Sequence, residues 1–172
     1  MQVRVRAAAG DEDIAAFRVL CAEYVHSVAY TTDCASLEHQ RIDDELANLP
    51  GQFGPPRGAM FLALAGAIPV GCVALRPLRD TICEMKRMYV VRSARGRGVG
   101  RRLAEAVLEA ARARGYAAIR LDTGASMKVA ASLYESLGFR DIPAYNRDPT
   151  PGTRWMELQL QPIRRFMSGT TF

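Results

Sequence analysis

Ala59 to Leu75 is a run of seventeen residues without a charge, in a chain where 24% of the residues are charged. A segment this apolar must be covered on every side. It falls short of the roughly 20 apolar residues that a bilayer core requires, and Gly66, Pro69 and Gly71 break it into two short pieces around a turn. The run therefore predicts a buried β-hairpin, with strands over Phe61 to Ala65 and Val70 to Leu75. Burial of both faces of a hairpin demands helices above and below it.

The flanking sequence supplies them. Val3 and Val5 alternate with Arg4 and Arg6 as a short strand; Gly10-Asp11-Glu12-Asp13 then places acids at a helix start, before Ile14, Phe17, Leu20, Cys21, Tyr24 and Val28 recur at helical spacing. A second helix is predicted from Ser36 to Leu49, ended by Pro50-Gly51, and a long strand from Ile82 to Val91. Between Gly98 and Arg114 the apolar face is Val99, Leu103, Val107, Ala110 and Ala111, and Gly115 closes the helix. Ala118 to Leu121, Phe139 to Ile142 and Arg154 to Leu160 read as strands, and Ser126 to Leu137 as a helix. One domain over residues 1–172 follows, with a mixed α/β architecture: a mostly antiparallel sheet of about seven strands and helices on both faces.

Charge is unevenly spread. Through Val91 there are 9 Lys/Arg and 11 Asp/Glu; from Arg92 onward there are 14 and 7. The second half attracts anions. The four cysteines contain no CxxC pair, and His26 and His39 stand thirteen residues apart, so no metal site is expected. The start of the chain carries no apolar signal segment, which predicts a cytoplasmic protein with reduced thiols.

The strongest local signal is Arg95-Gly96-Arg97-Gly98-Val99-Gly100, between a strand and an amphipathic helix. Glycines let the backbone close around a ligand, and the free N–H groups of a helix N-terminus suit a phosphate or pyrophosphate. No Gly-Lys-Ser/Thr follows, and the Rossmann spacing is missing, so neither of those nucleotide folds is implied.

This string matches the R/Q-x-x-G-x-G/A motif of the GNAT N-acetyltransferase superfamily, and Leu133-Tyr134-Glu135-Ser136-Leu137-Gly138-Phe139 matches its later LYxxxGF motif. With the order of elements above, the chain resembles that family over nearly its whole length, leaving out the tail after about residue 160. The resemblance implies an enzyme that transfers an acetyl group from acetyl-CoA to an amine by direct attack in a ternary complex. It implies that the amides of the loop, Gly96 to Arg101 with Arg95, bind the pyrophosphate. It also implies that Met88 offers its N–H to the thioester carbonyl, that Val90 bonds the pantetheine, and that Tyr134 protonates the departing thiolate. Glu84 is the candidate base, placed by strand alternation on the same face as Met88 and Val90; its bland reading is an ion pair with Lys86 or Arg87.

Many members carry an asparagine seven residues before the tyrosine; here Met127 stands there, with Ala130 one turn on, and a thioether donates no hydrogen bond. Ser126 or Lys128 are the neighbours that could substitute. The acceptor side falls to the first two helices and the connection from Pro143 to Thr153, where Asp43, Asp44 and Glu45 favour a cation and Tyr24, Tyr30 and Tyr145 could line a pocket. Acetyl-CoA and an unidentified amine are the implied partners, with no metal, nucleic acid or membrane; a homodimer is compatible with this. Two other readings stand beside it. A basic nucleic-acid-binding module is disfavoured by the acidic first half and the lack of interleaved aromatics. A non-catalytic acyl-CoA sensor is disfavoured by the retention of Glu84 and Tyr134.

Overall fold

The computed structural model describes residues 2–29, 42–147 and 150–160. Its strands are β1 (Val3–Ala7), β2 (Ala59–Ala65), β3 (Ile68–Arg79), β4 (Ile82–Val90), β5 (Ala118–Thr123), β6 (Arg140–Ile142) and β7 (Arg154–Gln159). The helices are α1 (Gly10–Ala29), α2 (residues 42–47), α3 (Val99–Ala113) and α4 (Lys128–Ser136). All seven strands join one sheet in the order β1-β2-β3-β4-β5-β7-β6. Every neighbouring pair is antiparallel except β4 and β5. The residues 36–41 of the expected second helix, Tyr30, and the tail after residue 160 lie outside the described residues.

The uncharged run folds as the predicted hairpin, turning at Gly66 with φ +63°. Its side chains sort alternately onto two cores. Ala63, Val73 and Leu75 pack with Val99, Leu103 and Val107 of α3, while Leu62, Leu64, Cys72 and Ala74 pack with Phe17 and Leu20 of α1 and Ile42 and Leu46 of α2. Two covered faces leave no position for a polar side chain, which explains the missing charges.

Local rules set the helix ends. Asp11, Glu12 and Asp13 fill the first turn of α1, and Asp13 also accepts from the Ala9 N–H and the Arg6 guanidinium (both 2.8 Å), tying β1 to the helix. At the end of α3, Gly115 takes φ +78° while the Tyr116 N–H donates to Ala111 O (3.1 Å) and the Gly115 N–H to Arg112 O (3.0 Å). Those two bonds are a Schellman stop.

The sheet opens in its middle. β4 pairs with β5 only from Ile82 to Glu84, opposite Ala118 to Arg120; beyond that β4 follows β3 and β5 follows β7. A bulge accentuates the divergence: Cys72 pairs with Tyr89 but Ala74 with Lys86, so two steps on β3 face three on β4. Arg87, the only non-glycine among the described residues with positive φ (60°), lies in the bulge.

Candidate active site

Two glycines shape the edge of this opening. Gly96 (φ 73°) and Gly98 (φ 75°) occupy the left-handed region, and Gly98 caps α3 without a side-chain hydrogen bond. Among the described residues, none of the backbone N–H groups from Gly96 to Arg101 donates to a protein acceptor. Six consecutive free donors at the positive end of a helix have the geometry and partial charge that suit an anion. The arginines divide their work. Arg95 donates from Nε to Val90 O (2.9 Å) and lies over the Tyr89 ring (5.8 Å), Arg101 reaches Ser136 Oγ (2.7 Å), and Arg102 reaches Val3 O (2.6 Å). These three brace the loop, and Arg97 stands exposed beside it.

A slot opens between the diverging β4 and β5. The Val91 N–H donates to Val70 O (3.0 Å), so alternation turns the backbones of Met88 and Val90 away from β3, toward the gap. On the α3/α4 side the slot is lined by Met88, Thr123, Met127, Ala130 and Tyr134. On the α1/α2 side it is lined by Tyr24, Lys86, Arg87 and Asp122. One mouth is apolar with hydroxyls and the other is charged.

Tyr134 is buried against Phe139, ring centroids 5.7 Å apart. Burial pushes its phenol above the ordinary value of 10, and Asp122 adds to the effect. The hydroxyl therefore stays protonated across the neutral range. On the opposite mouth Lys86 donates to Asp122 Oδ1 (3.0 Å) and Asn146 Nδ2 to Asp122 Oδ2 (2.7 Å), while Trp155 Nε1 holds Asn146 Oδ1 (2.7 Å). Burial alone would raise the Asp122 carboxyl; Lys86, Asn146 and Arg87 outweigh it and leave it lowered.

The structure corrects the expected placement of Glu84. It pairs with Arg76, two residues along β3 from Ala74, and so lies on the α1/α2 face, whereas Met88 and Val90 pack against the α3 side. The extra residue of the bulge reverses the alternation between them. Glu84 is fully buried; it accepts from Arg76 Nε (2.6 Å) and Tyr145 Oη (2.7 Å), with Lys86 Nζ at 3.8 Å, and it does not line the slot. Ser126 and Lys128, the suggested substitutes at Met127, are exposed. Of the acidic run, Asp43 and Asp44 face solvent and only Glu45 turns inward, onto Arg87.

Sequence reasoning missed Asp122 and Thr123, and saw Lys86 and Arg87 only as partners for Glu84. Their signal was an Asp-Thr pair closing the strand that lies parallel to β4. Thr123 Oγ1 is the one fully buried side-chain N or O atom without a hydrogen-bond partner among the described residues.

The sheet thus splits around a slot, with free amides at the N-terminus of α3 and a protonated tyrosine inside the slot. The chain belongs to the acetyltransferase (GNAT) family, whose profile matches residues 23–139. An uncharacterised N-acetyltransferase of Schizosaccharomyces pombe is 34% identical over 151 residues, covering 87% of this chain and 90% of that protein. Human N-acetylaspartate synthetase is 38% identical over 99 residues, 57% of this chain; the match spans 33% of that protein's length. Among solved structures, a GNAT acetyltransferase from Staphylococcus aureus superposes with a TM-score of 0.76 at 17% identity, covering 93% of this chain and all of the other. An N-acetyltransferase from Thermoplasma acidophilum in complex with coenzyme A superposes with a TM-score of 0.71 at 16% identity, covering 92% and 99% of the two chains. At the level of the family, the activity is acetyl transfer from acetyl-CoA to an amine.

Proposed function

We propose that the glycine loop holds the pyrophosphate of acetyl-CoA and that transfer occurs inside the slot, by direct attack of an amine entering from the α1/α2 mouth. The observations that carry this reading are the six free amides from Gly96 to Arg101 at the N-terminus of α3 and, where β4 and β5 diverge, a passage lined by Tyr134 on one side and by charge on the other. The Met88 N–H, turned into the gap, stabilises the oxyanion formed as the amine nitrogen attacks the thioester carbonyl. As the carbon–sulfur bond breaks, Tyr134 donates a hydrogen bond to the sulfur. Full proton transfer from a raised phenol to a thiolate of pKa about 8.5 runs uphill, so the hydrogen bond supplies the help. The thiolate takes its proton afterwards from water.

Met127 gives the pantetheine no polar contact; the unpartnered Thr123 hydroxyl, shut from solvent in the free protein, gives one instead once its side chain turns toward the slot. We assign Glu84 to holding Arg76, Lys86 and Tyr145 in place. The ammonium proton leaves through water at the charged mouth, beside Asp122. The amino-acid product in the name of the N-acetylaspartate synthetases puts amino acids first among acceptors to test.

The test is thiol release from acetyl-CoA with amino acids, polyamines, aminoglycosides and peptides, alongside thermal shift with coenzyme A. Acceptor-dependent thiol release and a cofactor-induced shift are expected. Gly98→Val should abolish the shift, because the position requires a left-handed backbone and close approach of the ligand. No release with any acceptor and no shift at millimolar coenzyme A would overturn the reading.

A further inference from the structure

We infer that Arg87 binds a carboxylate of the acceptor, so that the substrate class is a small amino-carboxylate carrying its amine and its anion on one molecule. This deepens the transfer reading above and rests on it for the position of the amine.

Three observations converge on Arg87. The first is its backbone. A non-glycine residue held at φ 60° is strained, and such strain persists where the surrounding structure imposes it, often at ligand sites. The bulge turns this side chain onto the α1/α2 mouth of the slot.

The second is the way the guanidinium is held. Its side chain is 8% exposed, and its Nε donates to Glu45 Oε1 (2.8 Å). Glu45 is itself anchored: Gln52 Nε2 donates to its Oε2 (2.9 Å), and Arg76 lies 3.8 Å away. One edge of the guanidinium is thus clamped. Of its five N–H donors, the four on the terminal nitrogens have no hydrogen-bond acceptor among the described residues. Those nitrogens are not sealed off either, because the one unpartnered side-chain atom fully shut from solvent is Thr123 Oγ1. Arg87 is one of the residues that line the slot.

The third is the contrast with neighbouring charges. Lys86 is met on both sides, by Asp122 at 3.0 Å and Glu84 at 3.8 Å. Arg120 is bound to Glu157 (2.7 Å) and stacked on Tyr145 (5.4 Å), and Arg76 to Glu84 (2.6 Å). Arg87 alone in this cluster keeps a whole edge of unused donors, and it lines the slot. A planar pair of terminal N–H groups matches the two oxygens of a carboxylate. Asp122, across the same mouth, is placed to receive the ammonium.

The experiment pairs each proteinogenic amino acid with its carboxamide and measures kcat/KM for both in the parent, in Arg87→Lys and in the double variant Arg87→Gln/Glu45→Gln. The double variant removes both buried charges together, so no unpaired carboxylate is left to unfold the protein. The parent should favour the best carboxylate over its carboxamide by about 100-fold. In the double variant that ratio should fall at least tenfold, toward unity, with Arg87→Lys between the two. A purely structural Arg87 would lower both substrates together and keep the ratio.

A parallel calorimetric titration of the coenzyme A-loaded protein with the same compounds separates the two readings. Carboxylate-selective binding that the double variant loses, without any thiol release, sinks transfer and sustains Arg87. A ratio near one in the parent, a preference that survives the double variant, or loaded protein that binds neither compound overturns the proposal.

Discussion

Thr123→Val separates a ligand-binding hydroxyl from a structural one. In most proteins this exchange destabilises, because a buried threonine hydroxyl has a partner to lose. Here Thr123 is 4% exposed and its Oγ1 has no partner. Leaving a hydroxyl unpaired in the interior costs about 1–3 kcal/mol, and valine keeps the branched shape that suits a strand. Taking the lower end, the substitution should stabilise the free protein by about 1 kcal/mol, a rise in Tm of about 2–4 °C for a domain of this size. If the hydroxyl binds the pantetheine arm, the same change removes one hydrogen bond worth about 0.5–1.5 kcal/mol, which weakens coenzyme A affinity roughly two- to tenfold. Stability and affinity then move in opposite directions. Differential scanning calorimetry on the free protein and isothermal titration with coenzyme A, on one preparation, read both. A lowered Tm with unchanged affinity would refute the reasoning, since it would give Thr123 an internal partner and no ligand.

Tyr134→Phe keeps the ring contact with Phe139 while deleting the hydroxyl; steady-state kinetics should show kcat lowered by about 10²-fold with coenzyme A affinity nearly intact, and turnover within twofold of the parent would remove the hydroxyl from the mechanism. The Asp13 carboxyl is held down to about 2, from an ordinary 3.8, mainly by its hydrogen bond from Arg6. Its folded value lies below its unfolded one, so its contribution is complete above about pH 4 and is lost as the pH falls through 2. Asp13→Asn should flatten that segment of the urea midpoint against pH, and an unchanged acid slope would count against the pair.

Much of the architecture was legible from local pattern. An uncharged run broken by Gly66, Pro69 and Gly71 has few alternatives to a hairpin covered on both faces, and the apolar stripe of α3 is read directly from its period. Gly96, Gly98 and Gly115 stand where the backbone enters the left-handed region, a requirement that each residue meets by itself. The left-handed turns of the loop were therefore visible in six consecutive letters.

What only the tertiary structure decided is which side chains meet. Alternation placed Glu84 with Met88 and Val90, yet one extra residue at Arg87 moved it to the other face, because a side-chain period of two converts any insertion into a reversal. Nothing in the string Cys83 to Val90 marks that insertion; it appears only in the pairing with β3. The same holds for the charges. Asp43, Asp44 and Glu45 are equivalent in sequence, and Glu45 alone meets Arg87, forty-two positions away, because the packing of α2 on the sheet turns it inward. Thr123 Oγ1 lacks a partner at the end of β5, where β4 no longer runs alongside it. Helix period and glycine conformation are properties of neighbours along the chain, whereas register, bulges and the pairing of buried charges are settled between segments that are distant along it.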